Sequence, residues 1–128
     1  MTKNLLTYVE ERNKYNLTVA EGHLYDRGKA GLWIEYYPRK SSSETLRIKA
    51  RGFYEKGEKN GRWLEYHHNG TLKGIGYYRD GQKTGRWDYF DKKGSAVSCF
   101  RYPTFRKIAS KRPNLSSVLE KVLPRQNS

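Results

Sequence analysis

KNGRWLEYHHNG at residues 59–70 and KTGRWDYFDKKG at residues 83–94 are two copies of one pattern, 24 residues apart. Read outward, the copies lengthen. Gly52, Tyr54, Gly57, Lys59, Gly61, Arg62, Trp63, Tyr66 and Gly70 recur as Gly76, Tyr78, Gly81, Lys83, Gly85, Arg86, Trp87, Phe90 and Gly94. A fixed period of this length marks an architecture built from repeats. A worn third copy precedes them: Gly22, Tyr25, Gly28, Gly31, Trp33 and Tyr36, with its Trp 30 residues before Trp63. The extra length falls mostly in PRKSSSET, residues 38–45, which reads as an inserted loop.

Each unit reads as a two-stranded hairpin. GIGYYRD runs to a turn at Asp80-Gly81, and GRWDYF runs on to a turn at Lys93-Gly94. Asp or Asn before Gly supplies the positive φ that a two-residue hairpin turn requires. Tyr, Trp and Phe suit a pleated, half-buried surface. The expected fold is mainly β: an antiparallel meander of about six strands, extended by residues 17–20 and 97–102. One unit cannot bury its aromatic face alone, so neighbours must stack. The shared Gly, Trp and Tyr positions are therefore first a scaffold. A phosphate-binding glycine loop occurs once, between a strand and a helix, and these glycines recur at turn spacing instead.

The pattern G-x-Y-x-x-G-x-K-x-G-x-W-x-x-Y-x-x-x-G, carried by residues 52–70 and 76–94, resembles the MORN-repeat variant of bacterial YwqK-type antitoxin proteins. The first copy departs from it in its shorter turn and longer loop. The resemblance covers about residues 22–102 and implies a non-enzymatic sheet that binds another macromolecule. An antitoxin or immunity protein would bind and silence a toxin. MORN proteins more broadly imply contacts with proteins or acidic phospholipids.

Length and composition agree with one thin domain. The chain has 128 residues, with 35% hydrophobic but 14% aromatic residues, 11 of them Tyr. That aromatic content argues against a disordered chain. We expect residues 1–16 to form an N-terminal helix or cap, residues 17–102 the repeat sheet, and residues 103–128 a basic segment. In that segment Leu115, Val118, Leu119, Val122 and Leu123 have helical spacing. Leu5, Leu6 and Val9 carry the weaker signal for the N-terminal helix. The formal net charge is +13. Basic residues outnumber acidic ones sixteen to nine in 22–100 and seven to one in 101–128. Such a field favours an anionic partner. With Cys99 as the one cysteine there is no internal disulfide and no cysteine cluster for zinc. No apolar run marks a signal peptide or a bilayer span, so the expected compartment is the cytoplasm.

Candidate partner-binding residues are those the scaffold leaves free. Lys59, Lys83, Arg62 and Arg86 recur in register and would form a short basic ladder beside an aromatic column. Tyr77 is the aromatic anchor we single out, and Arg106, Lys107, Lys111 and Arg112 extend the charge into the tail. A protein partner with an acidic surface is the leading expectation. Nucleic acid, held by phosphate contacts and base stacking, is the alternative, and acidic phospholipid the third. No catalytic constellation, cofactor or metal is expected. His67 and His68 are adjacent and face opposite sides of a strand. Cys99 has no base beside it, and the Glu35/Glu65 pair is not repeated in the copy at residues 76–94.

Overall fold

The computed structural model describes residues 5–26 and 28–104. They form one eight-stranded antiparallel sheet in which every strand pairs with its neighbours in sequence. The strands are β1 Leu6–Arg12, β2 Thr18–Tyr25, β3 Gly28–Tyr36, β4 Ile48–Glu55, β5 Glu58–Tyr66, β6 Leu72–Arg79, β7 Gln82–Phe90 and β8 Ala96–Tyr102. The meander expected from the repeat is therefore present; the extension expected at residues 97–102 lies in β8, whereas residues 18–20 open β2 and Leu17 precedes it. At the β6–β7 turn Asp80 and Gly81 have φ of 48° and 88°, the two positive values of a type I′ turn.

The N-terminal segment differs from expectation: β1 is a strand, paired with β2 from Leu6↔Tyr25 to Arg12↔Thr18. A helix of this length is marginal alone. The free edge of β2 instead satisfies a full row of backbone groups, and LTYVEER carries good strand formers. The expected C-terminal helix lies outside the described residues.

The core is a column on one face. Trp33, Trp63 and Trp87 are each 0% exposed. Each lies flat over the backbone of the preceding strand, opposite Gly22, Gly52 and Gly76, where a Cβ would collide with the indole. This close approach is why glycine is required there. Each indole Nε1–H donates to a backbone carbonyl ten residues earlier: His23, Phe53 and Tyr77, at 2.9, 2.9 and 3.0 Å. Tyr54, Tyr78 and Tyr102 wedge edge-on between or beside the indoles. The centroid distances of 5.8, 5.6, 5.7 and 5.6 Å run unbroken from Trp33 to Trp87. Such edge-to-face pairs add to the burial of area.

The column is bounded by chemistry at its end. No Trp follows β8, and Phe100 stands at the position that glycine holds in the earlier units, opposite Trp87 and exposed. Tyr89 likewise stands where earlier units carry Glu35 and Glu65. It stacks on Trp87 at 6.0 Å and meets the Tyr102 hydroxyl at 2.9 Å.

Candidate binding face

The basic ladder expected from sequence is divided between the two faces. Lys59 and Lys83 belong to the tryptophan face. Each ammonium lies over an indole, at 4.3 Å from the ring centroids of Trp63 and Trp87. Each also pairs with a carboxylate of the preceding unit, Lys59 with Glu35 at 3.4 Å and Lys83 with Glu65 at 3.3 Å. Lys29 repeats the arrangement over Trp33, with Glu11 as partner at 3.2 Å. These lysines are about three-quarters covered, so their charge is used inside the fold. The physical reason is the odd spacing between Lys and Arg in each unit. Side chains alternate along a strand, so Lys59 and Trp63, four apart, share a face and Arg62, three from Lys59, points to the other.

Arg62 and Arg86 occupy the other face, which no described residue covers. One row across it pairs Leu32 with Phe53, Arg62 with Tyr77 and Arg86 with Arg101. The next row runs Ile34, Arg51, Leu64, Ile75, Asp88 and Cys99 from β3 to β8. Leu32, Phe53 and Tyr77 remain 46%, 49% and 50% exposed. Between them a shallow hollow of about 200 Å³ is lined by Leu32, Phe53, Leu64, Arg51 and Arg62. The guanidinium of Arg62 sits 5.9 Å from the Tyr77 ring, and that of Arg51 sits 5.8 Å from Tyr66 while donating to its hydroxyl at 2.9 Å.

Charge is unevenly spread on this face. Arg86 donates to Asp88 at 2.9 Å, which raises its already high pKa. Arg86 and Arg101 stand directly opposite one another, a like-charge pair that costs stability. Towards β1 the sign reverses: Glu10 faces Glu21. Tyr8 and Tyr36 both donate to Glu21 and hold its carboxyl below the usual range. The exposed Tyr8 phenol is pushed up to about 12, chiefly by that same hydrogen bond.

Sequence reasoning named Arg62, Arg86 and Tyr77 on this face and missed Leu32, Phe53, Arg51 and Arg101. The pairing of Gly with Trp was the available signal. A strand that presents a bare glycine to an indole must turn its other residues away. Arg106, Lys107, Lys111 and Arg112 lie outside the described residues. The two histidines diverge: the His67 ring meets the Phe90 carbonyl at 2.8 Å, while His68 packs edge-on to Tyr37. Among the described residues no group of three or more His, Cys, Asp or Glu is placed to hold a metal ion, and no helix is long and apolar enough to cross a membrane. Compared with protein-family models, curated proteins and solved structures, the chain matches none.

Proposed function

We propose that this chain is a non-enzymatic binding protein. It engages an acidic protein partner through the open face of the sheet and thereby inhibits it, in the manner of an antitoxin, an immunity protein or a phage- or plasmid-encoded inhibitor. The resemblance to YwqK-type MORN repeats supports this reading, and the site of action proposed with it is the cytoplasm. The observation that carries it is the contrast between units. On the tryptophan face equivalent positions repeat: Lys29, Lys59 and Lys83, or Trp33, Trp63 and Trp87. On the open face they diverge: Leu32, Arg62 and Arg86, or Phe53, Tyr77 and Arg101, or Ile34, Leu64 and Asp88. A scaffold needs its repeated positions alike, whereas a surface shaped to one partner does not. Exposed Phe and Tyr set among Arg is the composition of an interface centre.

The test is affinity capture from lysate of the native host, split into nuclease-treated and untreated halves, with wild type beside Tyr77→Ala and Arg62→Glu. One protein retained equally in both halves, and lost with either variant, supports the proposal. Loss of all captured material on nuclease treatment defeats it. That outcome favours direct nucleic-acid binding, for which the adjoining Arg86 and Arg101 and the neighbouring aromatics are suited. In that case log affinity falls steeply with log salt.

A further inference from the structure

The connections at one end of the sheet are unequal. Three of them close over five residues by the same outer backbone bond: Asn13 N–H to the Leu17 carbonyl, His67 to Thr71 and Asp91 to Ser95, at 3.0, 2.8 and 2.9 Å. The fourth closes in the same way, Tyr37 N–H to the Arg47 carbonyl at 2.9 Å, but over residues 37–47. The added chain makes no further strand. It encloses instead a polar cavity of about 320 Å³, lined by Tyr37, Arg39, Ser43, Thr45, Arg47 and His68.

The donors of this cavity exceed its acceptors. Arg39 is pinned by an Nη1 bond to the Glu44 carbonyl at 3.1 Å. Its Nε is buried with no hydrogen-bond partner, the one such side-chain atom among the described residues. Buried donors are ordinarily satisfied. Neither Arg39 nor Arg47 has an ion-pair partner among the described residues; Ser43, Glu44, Thr45 and Arg47 are all exposed at the cavity rim, so the Glu44 carboxylate stands there beside two arginines. One wall is flat and fixed: the Tyr37 hydroxyl donates to the Tyr66 carbonyl at 2.6 Å, and His68 lies edge-on at 5.1 Å.

We propose that loop 38–47 is a binding site for a terminal phosphoryl group, with Arg39 and Arg47 as the charged donors and the Ser43 and Thr45 hydroxyls beside them. A guanidinium carries a delocalised positive charge and several N–H donors, which suits it to the oxygens of a phosphate. A phosphate monoester offers three oxygens to these donors, whereas a diester offers two. The volume falls at the lower end of the range of small-molecule sites, roughly 300–1,000 Å³. It therefore leaves room for a small body carried by the phosphate against the Tyr37 wall. This site lies in the insertion, apart from the Arg62–Tyr77 surface, and stands or falls independently of the partner-binding reading.

The test follows the Arg Nε–H signals of ¹⁵N-labelled full-length protein by NMR. Inorganic phosphate and methyl phosphate are titrated separately, with acetate and dimethyl phosphate at matched ionic strength as controls. The expected result is a saturable shift of the Arg39 Nε–H signal with the first two ligands. Arg39→Lys, which keeps the charge but removes the guanidinium, should weaken binding roughly tenfold. The Trp Nε1–H signals should stay in place, showing that the sheet of the variant is intact. Tighter binding of methyl phosphate assigns the site to an ester, and tighter binding of inorganic phosphate to the free ion. Three outcomes would each overturn the proposal: equal shifts on Arg62, Arg86 and Arg101, equal affinity for acetate or dimethyl phosphate, or unchanged affinity in Arg39→Lys.

Discussion

The two faces of this sheet use the same charges to opposite ends. On the tryptophan face every cation has a place: Lys59 lies over Trp63 and against Glu35, and Lys83 lies over Trp87 and against Glu65. On the open face Arg86 and Arg101 confront each other across a strand pair, and exposed Phe53 and Tyr77 lie nearby. One face closes itself without a second layer. Indoles pack on glycine, tyrosines wedge between them, and lysine stems cover what remains. The other face leaves apolar area exposed and sets two like charges, Arg86 and Arg101, against each other, although Asp88 pairs with Arg86. The difference teaches that a single sheet can carry its whole core on one side, which frees the other from structural duty.

That division can be broken most sharply at the column. Trp63→Ala removes an indole in contact with Tyr54 and Tyr78, together with its bond to the Phe53 carbonyl. It should cost about 3–5 kcal/mol of stability. A shift of the denaturant midpoint measures it, and a cost below 1 kcal/mol would mean that the column is not the core. On the opposite side, Tyr77→Ala should leave stability within about 0.5 kcal/mol and weaken the captured complex by about 2 kcal/mol or more. Calorimetric titration against the purified partner, paired with a melting curve, separates the two effects.

Alkaline titration sharpens the comparison on the closed face. Burial first, then Glu35, raises the Tyr54 phenol from 10.0 to about 12, and burial also raises Tyr78 and Tyr89. These phenols have folded pKa values above their unfolded ones, so their contribution is complete below pH 10 and is lost as pH rises towards 12. Discounted for half-exposure, Tyr54 should contribute roughly 1 kcal/mol. Unfolding midpoints measured from pH 8 to 12 should fall across that window, and Tyr54→Phe should flatten the fall.

The smallest effect has the most informative sign. Arg101→Glu turns the repulsion with Arg86 into attraction and should stabilise the sheet by roughly 0.2–1 kcal/mol. The same change should weaken partner binding. A variant that gained stability and kept its binding would show that the like-charge pair serves no partner.

Much of the fold could be read from the repeat. The turns at Lys56-Gly57 and Asp80-Gly81 and the strands between them follow from spacing and turn chemistry. The N-terminal strand could not, because Leu5, Leu6 and Val9 offer a local helical pattern that pairing with β2 overrides. The candidate site was half legible. Recurrence drew Lys59 and Arg62 together as one ladder, yet residues three apart in a strand point to opposite faces, so alternation separates them. Leu32 and Phe53 went unnamed because an apolar residue in a strand reads as core until the core face is known.

Phe100 gives the molecule a stopping rule. A further hairpin could dock on β8 in register, but its tryptophan would need bare backbone where that phenyl ring stands. The last strand among the described residues therefore accepts hydrogen bonds along its edge but refuses the packing that makes each added unit cohesive. A sheet whose every rung resembles the last is a natural seed for end-to-end polymers. One ring at the position where glycine would accept the next indole works against such growth.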